Sequence, residues 1–311
     1  MRDENRRRFL QLSTVVAAGS AALTRKALAS VPSKNGAPAA ADIRLGLFVE
    51  GTGDPDAAIK KVKDLGFPTC QVGMEEFTPV KGTELKDALS RYGVEATALG
   101  VVGPGRKVWD FYEGPATIGI VPRATRRTRI DHIKRASDFA KGLGIPAIHT
   151  HIGFIPEDPN EALYAETVEA SREVANHCNA NGQILLYETG QESPVTLLRA
   201  ITDVGVPNQF VNLDTANLIL YGKGNAVDAL DVIGKLVRGI HAKDGLFPTN
   251  PKQLGREVPI GQGKANFPVL IPKLRALGYK GAMTIEREVS GAQQIEDIKK
   301  EKAYLEKLLA S

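Results

Sequence analysis

The sequence contains little cysteine, no long uninterrupted apolar segment and, beyond its N-terminal leader, no excess of either charge. Its two cysteines, Cys70 and Cys178, fall in a predicted strand and in a distant predicted helix, so we expect no disulfide between them. The apolar run 12–23 is too short and too rich in small residues to anchor the chain in a bilayer. These absences argue against a disulfide scaffold and against a stable membrane span.

Residues 1–29 have the pattern of an export signal. Arg6, Arg7 and Arg8 precede the short apolar run, and Ala27-Leu28-Ala29 supplies a small-x-small cleavage site. We therefore predict a twin-arginine signal peptide over 1–29, a flexible Pro/Ala-rich linker over 30–42, and a periplasmic or otherwise exported protein. A basic amphipathic helix is the alternative interpretation of the leader.

The net positive charge of the chain belongs to this leader. Six of the 40 Lys/Arg and two of the 36 Asp/Glu lie in residues 1–29, which leaves 34 of each in the rest of the chain. A neutral chain without a basic patch predicts no nucleic-acid partner.

Residues 43–311 have ordinary composition and about the length of one (β/α)8 barrel. At six places a helical pattern ends near a glycine and an apolar strand follows, as expected where a left-handed residue closes a helix. These glycines are Gly66, Gly93, Gly144, Gly182, Gly205 and Gly278. The strand candidates are 44–49, 69–73, 95–102, 147–152, 184–188, 210–214, 237–241 and 282–286. We predict a single (β/α)8 TIM barrel over 43–311, with an open doubly wound sheet as the alternative.

The last four predicted strands each end in a potential metal ligand. These ligands are Glu188, Asp214, His241 and Glu286. The first two gaps, of 26 and 27 residues, match one strand-plus-helix unit, and the third, of 45, adds an insertion. Three carboxylates and one imidazole suit a single Mn²⁺, Mg²⁺ or Co²⁺ better than Zn²⁺.

Such a site points to enediolate chemistry. With four protein ligands, two positions remain for adjacent oxygens of a substrate, whose neighbouring C–H becomes acidic. Glu188 and Glu286 are the predicted catalytic pair, one removing the proton and the other returning it.

The sequence resembles the xylose-isomerase-like TIM barrels, also called the sugar phosphate isomerase/epimerase family. The resemblance covers most of residues 43–311 and is strongest at Leu213-Asp214-Thr215, at His241-Ala242-Lys243-Asp244 and from Pro259 through Lys264 to Glu286. It implies that the four strand-end residues hold one divalent metal and that Glu188 and Glu286 move the proton. The usual His of ketose 3-epimerases is replaced by Asn217, and Lys243-Asp244 is similar to the inosose dehydratase side of the family.

Other candidate site residues complete the prediction. The proposed roles are His151 as a substrate contact or second base, Lys243 as an ion-pair partner or oxyanion contact, and Trp109, Glu192, Asn217 and Asp244 as substrate contacts. Strand alternation predicts that only one of His149 and His151 faces the barrel mouth, and we choose His151. His132 and His177 are expected on the surface. The arginines at 123, 126, 127 and 129 suggest a phosphate site. The alternative interpretation is that they form an ordinary solvated helical turn.

The leading hypothesis is a metal-dependent isomerase or epimerase of a sugar or keto-sugar. A lyase or dehydratase acting on keto-sugars such as 3-keto-glycosides is the alternative, and export favours it because glycosides occur outside the cytoplasm. A non-catalytic periplasmic sugar-binding protein is the third possibility, and the related nucleases with three zinc ions need more histidines than the five present. A homo-oligomer is compatible with the sequence.

Overall fold

The computed structural model describes residues 43–311, which form a closed barrel of eight parallel strands surrounded by helices. The predicted signal peptide (1–29) and linker (30–42) lie outside the described residues, and export stays a prediction. The barrel strands are β1 Arg44–Glu50, β2 Thr69–Gly73, β3 Glu95–Gly100, β4 Ala147–Thr150, β5 Ile184–Glu188, β6 Gln209–Asp214, β7 Val237–Ala242 and β10 Ala282–Ile285. A hairpin of β8 Asp244–Leu246 and β9 Arg256–Val258 follows β7.

Helices connect successive strands. They are α1 Pro55–Asp64, α2 Pro79–Tyr92, α3 Gly114–Thr117, α4 Arg123–Gly142, α5 Ala162–Ala180, α6 Pro194–Val204, α7 Asn217–Leu220, α8 Ala226–Ile233, α9 Phe267–Ala276 and α10 Ala292–Leu309. The strand order around the barrel is β1-β10-β7-β6-β5-β4-β3-β2, and all eight pairings are parallel. The predicted (β/α)8 barrel is therefore confirmed, and the open sheet is excluded.

Local sequence signals determine where the helices begin and end. The side chains of Asp54 and Ser193 accept hydrogen bonds from backbone N–H groups in the first turns of α1 and α6, and a proline follows each cap. At the other end, Gly93 and Gly205 close α2 and α6 with φ of 62° and 69°. All six predicted junction glycines have positive φ, as the sequence predicted.

Two predicted strands end two residues earlier than expected, at Gly100 instead of residue 102 and at Thr150 instead of residue 152, and the strand predicted over 282–286 ends one residue early at Ile285. Side chains beyond these ends no longer have to alternate between the two faces of the sheet. This difference matters for His151, which lies just outside β4.

The connection from β3 to α4 is held by a buried arginine. Arg129 is fully buried, and its guanidinium donates to the carbonyl oxygens of Pro104, Arg106 and Gly119. The interpretation of Arg129 as part of a solvated helical turn was therefore wrong, because three loop carbonyls need its donors. The other three arginines of the cluster pair with carboxylates, for example Arg123 with Glu166.

One histidine also differs from its predicted surface position. His132 is buried, with Nε2 2.9 Å from Oε2 of Glu75, whereas His177 is partly exposed and pairs with Asp138. Cys70 and Cys178 are both buried free thiols, so the expected absence of a disulfide is confirmed. Among residues 43–311, no helix is long and apolar enough to cross a membrane.

Candidate metal centre and catalytic cavity

The four predicted ligands meet at the carboxyl end of four neighbouring strands. Glu188 and Asp214 end β5 and β6, His241 lies in β7, and Glu286 directly follows β10. The register places Asp214 opposite His241, and His241 opposite the residue two before Glu286. One ligand atom from each of the four residues lies within 4.8 Å of the others. The barrel therefore brings together residues that span 98 positions of the sequence.

Two buried polar atoms of this cluster, one from His241 and one from Asp214, have no hydrogen-bond partner. His241 Nδ1 lies 3.0 Å from Glu188 Oε1 and 3.3 Å from Glu286 Oε2, yet it makes no hydrogen bond. Asp214 Oδ1 accepts the backbone N–H groups of Ala216 and Asn217 at 2.7 Å each, whereas its buried Oδ2 has no hydrogen-bond partner. Buried polar atoms without partners are costly, and a divalent ion would satisfy both. The donor set fits such an ion.

The charges of the cluster are strongly coupled. Burial and the neighbouring carboxylates Glu188 and Glu286 raise the pKa of Asp214 despite the opposing charge of Lys243. Burial also acts to raise the pKa of Glu286, but the charges of Lys243 and His241 lower it well below its ordinary value. The three carboxylates, of which Glu188 and Asp214 are buried and Glu286 is partly exposed, thus share one small volume. A bound cation would relieve their repulsion.

A chain of buried amides determines which nitrogen of His241 faces the cluster. Glu188 Oε2 accepts from Asn212 Nδ2 at 2.5 Å, so Asn212 Oδ1 is left to accept from Gln71 Nε2 at 3.0 Å. Gln71 Oε1 then accepts from His241 Nε2 at 3.0 Å. Because Nε2 is engaged by Gln71, Nδ1 is the nitrogen that faces the carboxylates and would bind an ion. Gln71 and Asn212 were not predicted as site residues, although both lie in the middle of apolar strands, where buried amides are unusual.

Both histidines of the β4 region reach the cavity, so the prediction that only His151 does so was wrong. His149 Nε2 contacts Glu188 Oε2, and His151 Nδ1 lies 3.3 Å from Gln191 Oε1. The alternation rule does not apply to the pair, because the strand ends at Thr150. Burial lowers the pKa of His151 to about 4, so its imidazole is neutral near pH 7.

Lys243 lies beside the same cluster. Its side chain is 1% exposed, and its ammonium lies 3.2 Å from Glu286 Oε2, 3.8 Å from Asp214 Oδ2 and 2.5 Å from Glu288 Oε1. Burial opposes the charged form, but these three carboxylates raise the pKa of Lys243 well above its ordinary value. The group is therefore a buried cation next to the four predicted ligands. Glu288 was not predicted.

A cavity of about 300 Å³ opens above the cluster, within the size range of small-molecule sites. Its lining includes Trp109, His149, His151, Asn217, Tyr221 and Glu286. Trp109 stands at the rim, 42% exposed, with its ring edge-on to His151 at 4.8 Å. The connections that follow β3 and β7 therefore both contribute to the mouth, with Trp109 and Leu254 respectively.

Two of the predicted substrate contacts lie elsewhere. Asp244 is buried, and its carboxylate accepts the N–H groups of Gly245, Gly261, Gly263 and Ala265, each at 2.9 Å. Its oxygens are engaged in holding the 244–265 connection, and Asp244 does not line the cavity. Glu192 is 2% exposed and does not line the cavity. Burial raises its pKa to about 8.

Comparison with known proteins gives a family match over most of the chain. A family model described as "xylose isomerase-like TIM barrel" matches residues 59–308. Among curated proteins, the human "putative hydroxypyruvate isomerase" is 26% identical over 263 residues, which cover 79% of this chain and 87% of that protein.

Solved structures agree with this match. A xylose isomerase domain protein from Planctomyces limnophilus superposes with a TM-score of 0.81 at 34% identity, covering 86% of this chain and 97% of that chain. A D-psicose 3-epimerase crystallised in the presence of D-fructose has a TM-score of 0.65 at 18% identity, covering 86% of this chain and all of that one. The second likeness shows the shared fold.

Proposed function

Because the chain belongs to the xylose isomerase-like TIM barrel family, we propose that it is a divalent-metal-dependent isomerase or epimerase of a sugar or keto-sugar. The observation that carries this proposal is the convergence of Glu188, Asp214, His241 and Glu286 beneath a cavity, with unpartnered buried atoms directed at one point. The isomerase name of the human relative supports the same reaction class.

The four residues would hold the ion through His241 Nδ1 and one oxygen from each carboxylate. Mn²⁺, Mg²⁺ and Co²⁺ are the proposed ions, because oxygen-rich ligand sets prefer hard divalent cations. A divalent ion bound there would supply a Lewis acid, which would make the C–H beside a substrate carbonyl more acidic.

Proton transfer is assigned to the two glutamates. Glu286 borders the cavity, and Lys243 and His241 keep its carboxylate ionised, so it is suited to remove the proton and generate an enediolate. Glu188 is the group proposed to return the proton at the other carbon or on the other face. The neutral imidazole of His151 and the indole of Trp109 are proposed to contact the sugar from the opposite wall.

A lyase or dehydratase reaction on a keto-sugar is the second candidate, and one observation favours it. The Lys243 ammonium lies 3.2 Å from Glu286 Oε2, where it can stabilise negative charge that develops on a departing oxygen next to the enediolate. Asn217 borders the cavity where ketose 3-epimerases carry histidine, which also separates this site from simple ketose epimerisation.

The test is proton NMR in D₂O on the protein loaded with Mg²⁺, Mn²⁺ or Co²⁺ and given free ketoses, aldoses and a 3-keto-glucoside. Deuterium uptake with interconversion of sugars supports the isomerase, whereas release of an aglycone or of water supports the lyase. Glu286→Gln should abolish either reaction, because its side chain no longer accepts a proton.

Glu296→Gln is the matched control, because Glu296 lies on the exposed surface of α10. It should leave the rate unchanged. A metal-loaded protein that catalyses neither reaction across the panel contradicts the proposal and favours a non-catalytic sugar-binding protein.

A further inference from the structure

A second cavity adjoins the catalytic one. This side cavity, of about 470 Å³, lies between the end of β1 with helix α1 and the end of β10 with helix α10. The two cavities share a wall formed by Phe48, Glu50, Glu286 and Glu288. Glu286 therefore lines both cavities, and the side cavity lies next to the group assigned to the reaction.

The polar floor of the side cavity is already ordered. Lys61 Nζ donates to Gln294 Oε1 at 2.6 Å, and Gln294 Nε2 donates to the carbonyl of Arg287 at 2.7 Å. These bonds tie helix α1 to helix α10 and hold both side chains in place. Ser290 adds a hydroxyl at the edge of the same cavity. Because these groups are already ordered, ligand binding would not carry the free-energy cost of ordering them.

The charge on Lys61 is not neutralised by a neighbour. Within residues 43–311 its ammonium is paired with a neutral amide and with no carboxylate, and burial lowers its pKa. Its remaining N–H donors are available to a ligand that carries oxygen acceptors. The adjacent carboxylates of Glu50 and Glu288 disfavour a phosphate and instead provide acceptors for hydroxyl groups.

We propose that the side cavity binds a second sugar residue, joined by a glycosidic bond to the sugar that reacts beside Glu286. A mixture of donors, acceptors and one aromatic ring, Phe48, matches the hydroxyls and the apolar face of a pyranose. The substrate is then a keto-disaccharide or similar glycoside and not a free monosaccharide. This inference rests on the proposed function, because it assumes that the reacting unit is a sugar.

Binding to the magnesium-loaded protein tests the proposal. Isothermal titration with fructose, turanose, lactulose and isomaltulose compares a free ketose with ketoses linked through different oxygens to a second sugar. We expect at least one disaccharide to bind about tenfold more tightly than fructose. Lys61→Met, which removes the ammonium, and Ser290→Trp, which fills the cavity edge, should each abolish that gain and leave the fructose Kd within about twofold.

Lys60→Met is the matched control, because Lys60 is an exposed neighbour on α1 that pairs with Asp64. It should bind every sugar as the unaltered protein does. Fructose binding without any preference for a disaccharide, or a preference that survives both Lys61→Met and Ser290→Trp, overturns the side-cavity proposal and leaves the proposed function standing. Failure of all four sugars to bind also overturns the side-cavity proposal, whereas the proposed function falls only if the metal-loaded protein catalyses neither reaction across the NMR panel.

Discussion

Replacement of Asp244 by asparagine tests how the connection after β7 is held in place. Each oxygen of the Asp244 carboxylate accepts two backbone N–H groups, from Gly245 and Ala265 on one side and from Gly261 and Gly263 on the other. Asn has the same shape, but its amide presents N–H donors to two of these four groups. Two buried N–H groups then lose their acceptor.

The magnitude follows from those two groups. A buried donor left without a partner costs about 1–3 kcal/mol, so Asp244→Asn should lower the free energy of unfolding by about 4 kcal/mol. For a chain of this size, each kcal/mol lowers Tm by about 2–4 °C, and we expect a decrease of roughly 8–16 °C by circular dichroism. Hydrogen exchange should accelerate first at the amides of Gly261, Gly263 and Ala265.

The control is Asp110→Asn. The Asp110 carboxylate also accepts backbone N–H groups, from Tyr112, Glu113 and Gly114 at 2.9, 2.7 and 3.1 Å, but it lies at an exposed loop where water can replace the lost acceptor. It should melt close to the unaltered protein. Equal melting temperatures for the two variants would refute the assignment of Asp244 as the buried acceptor that holds the connection together.

Three further predictions concern the titration of Glu192, the amide chain and the metal. The pKa of Glu192 is about 8 in the folded protein and lies near 4.5 when unfolded. The native state therefore loses up to about 5 kcal/mol of stability between pH 4.5 and pH 8. A Glu192→Gln variant should not show this loss when Tm is measured across pH 5–9. Gln71→Leu should weaken Mn²⁺ binding about 10–100-fold, measured by electron paramagnetic resonance, because His241 Nε2 loses the acceptor that orients its ring. Unchanged affinity contradicts the assigned role. Chelation with EDTA should lower the Tm of a protein held at about 100 Kd of Mg²⁺ by roughly 5–10 °C.

The barrel and the strand-end positions of the four candidate ligands could be predicted from the sequence, because their signals are local. A glycine such as Gly93 or Gly205 ends a helix through its own φ. Glu188 and Asp214 end apolar runs, and the carboxyl ends of barrel strands converge wherever the strands are parallel. The sequence therefore determined the fold, the face that carries the site and the four residues that meet there.

Which groups contact one another was decided only by the tertiary structure. The amides of Gln71 and Asn212 meet across the barrel because strand register places them beside His241, and no spacing along the chain encodes that contact. His149 and His151 both reach the cavity because β4 ends between them. Asp244, predicted as a substrate contact, is enclosed by backbone N–H groups up to 21 residues away. Burial, loop closure and the pairing of charges depend on the whole packed chain, whereas helix ends and strand periodicity depend on neighbours in sequence.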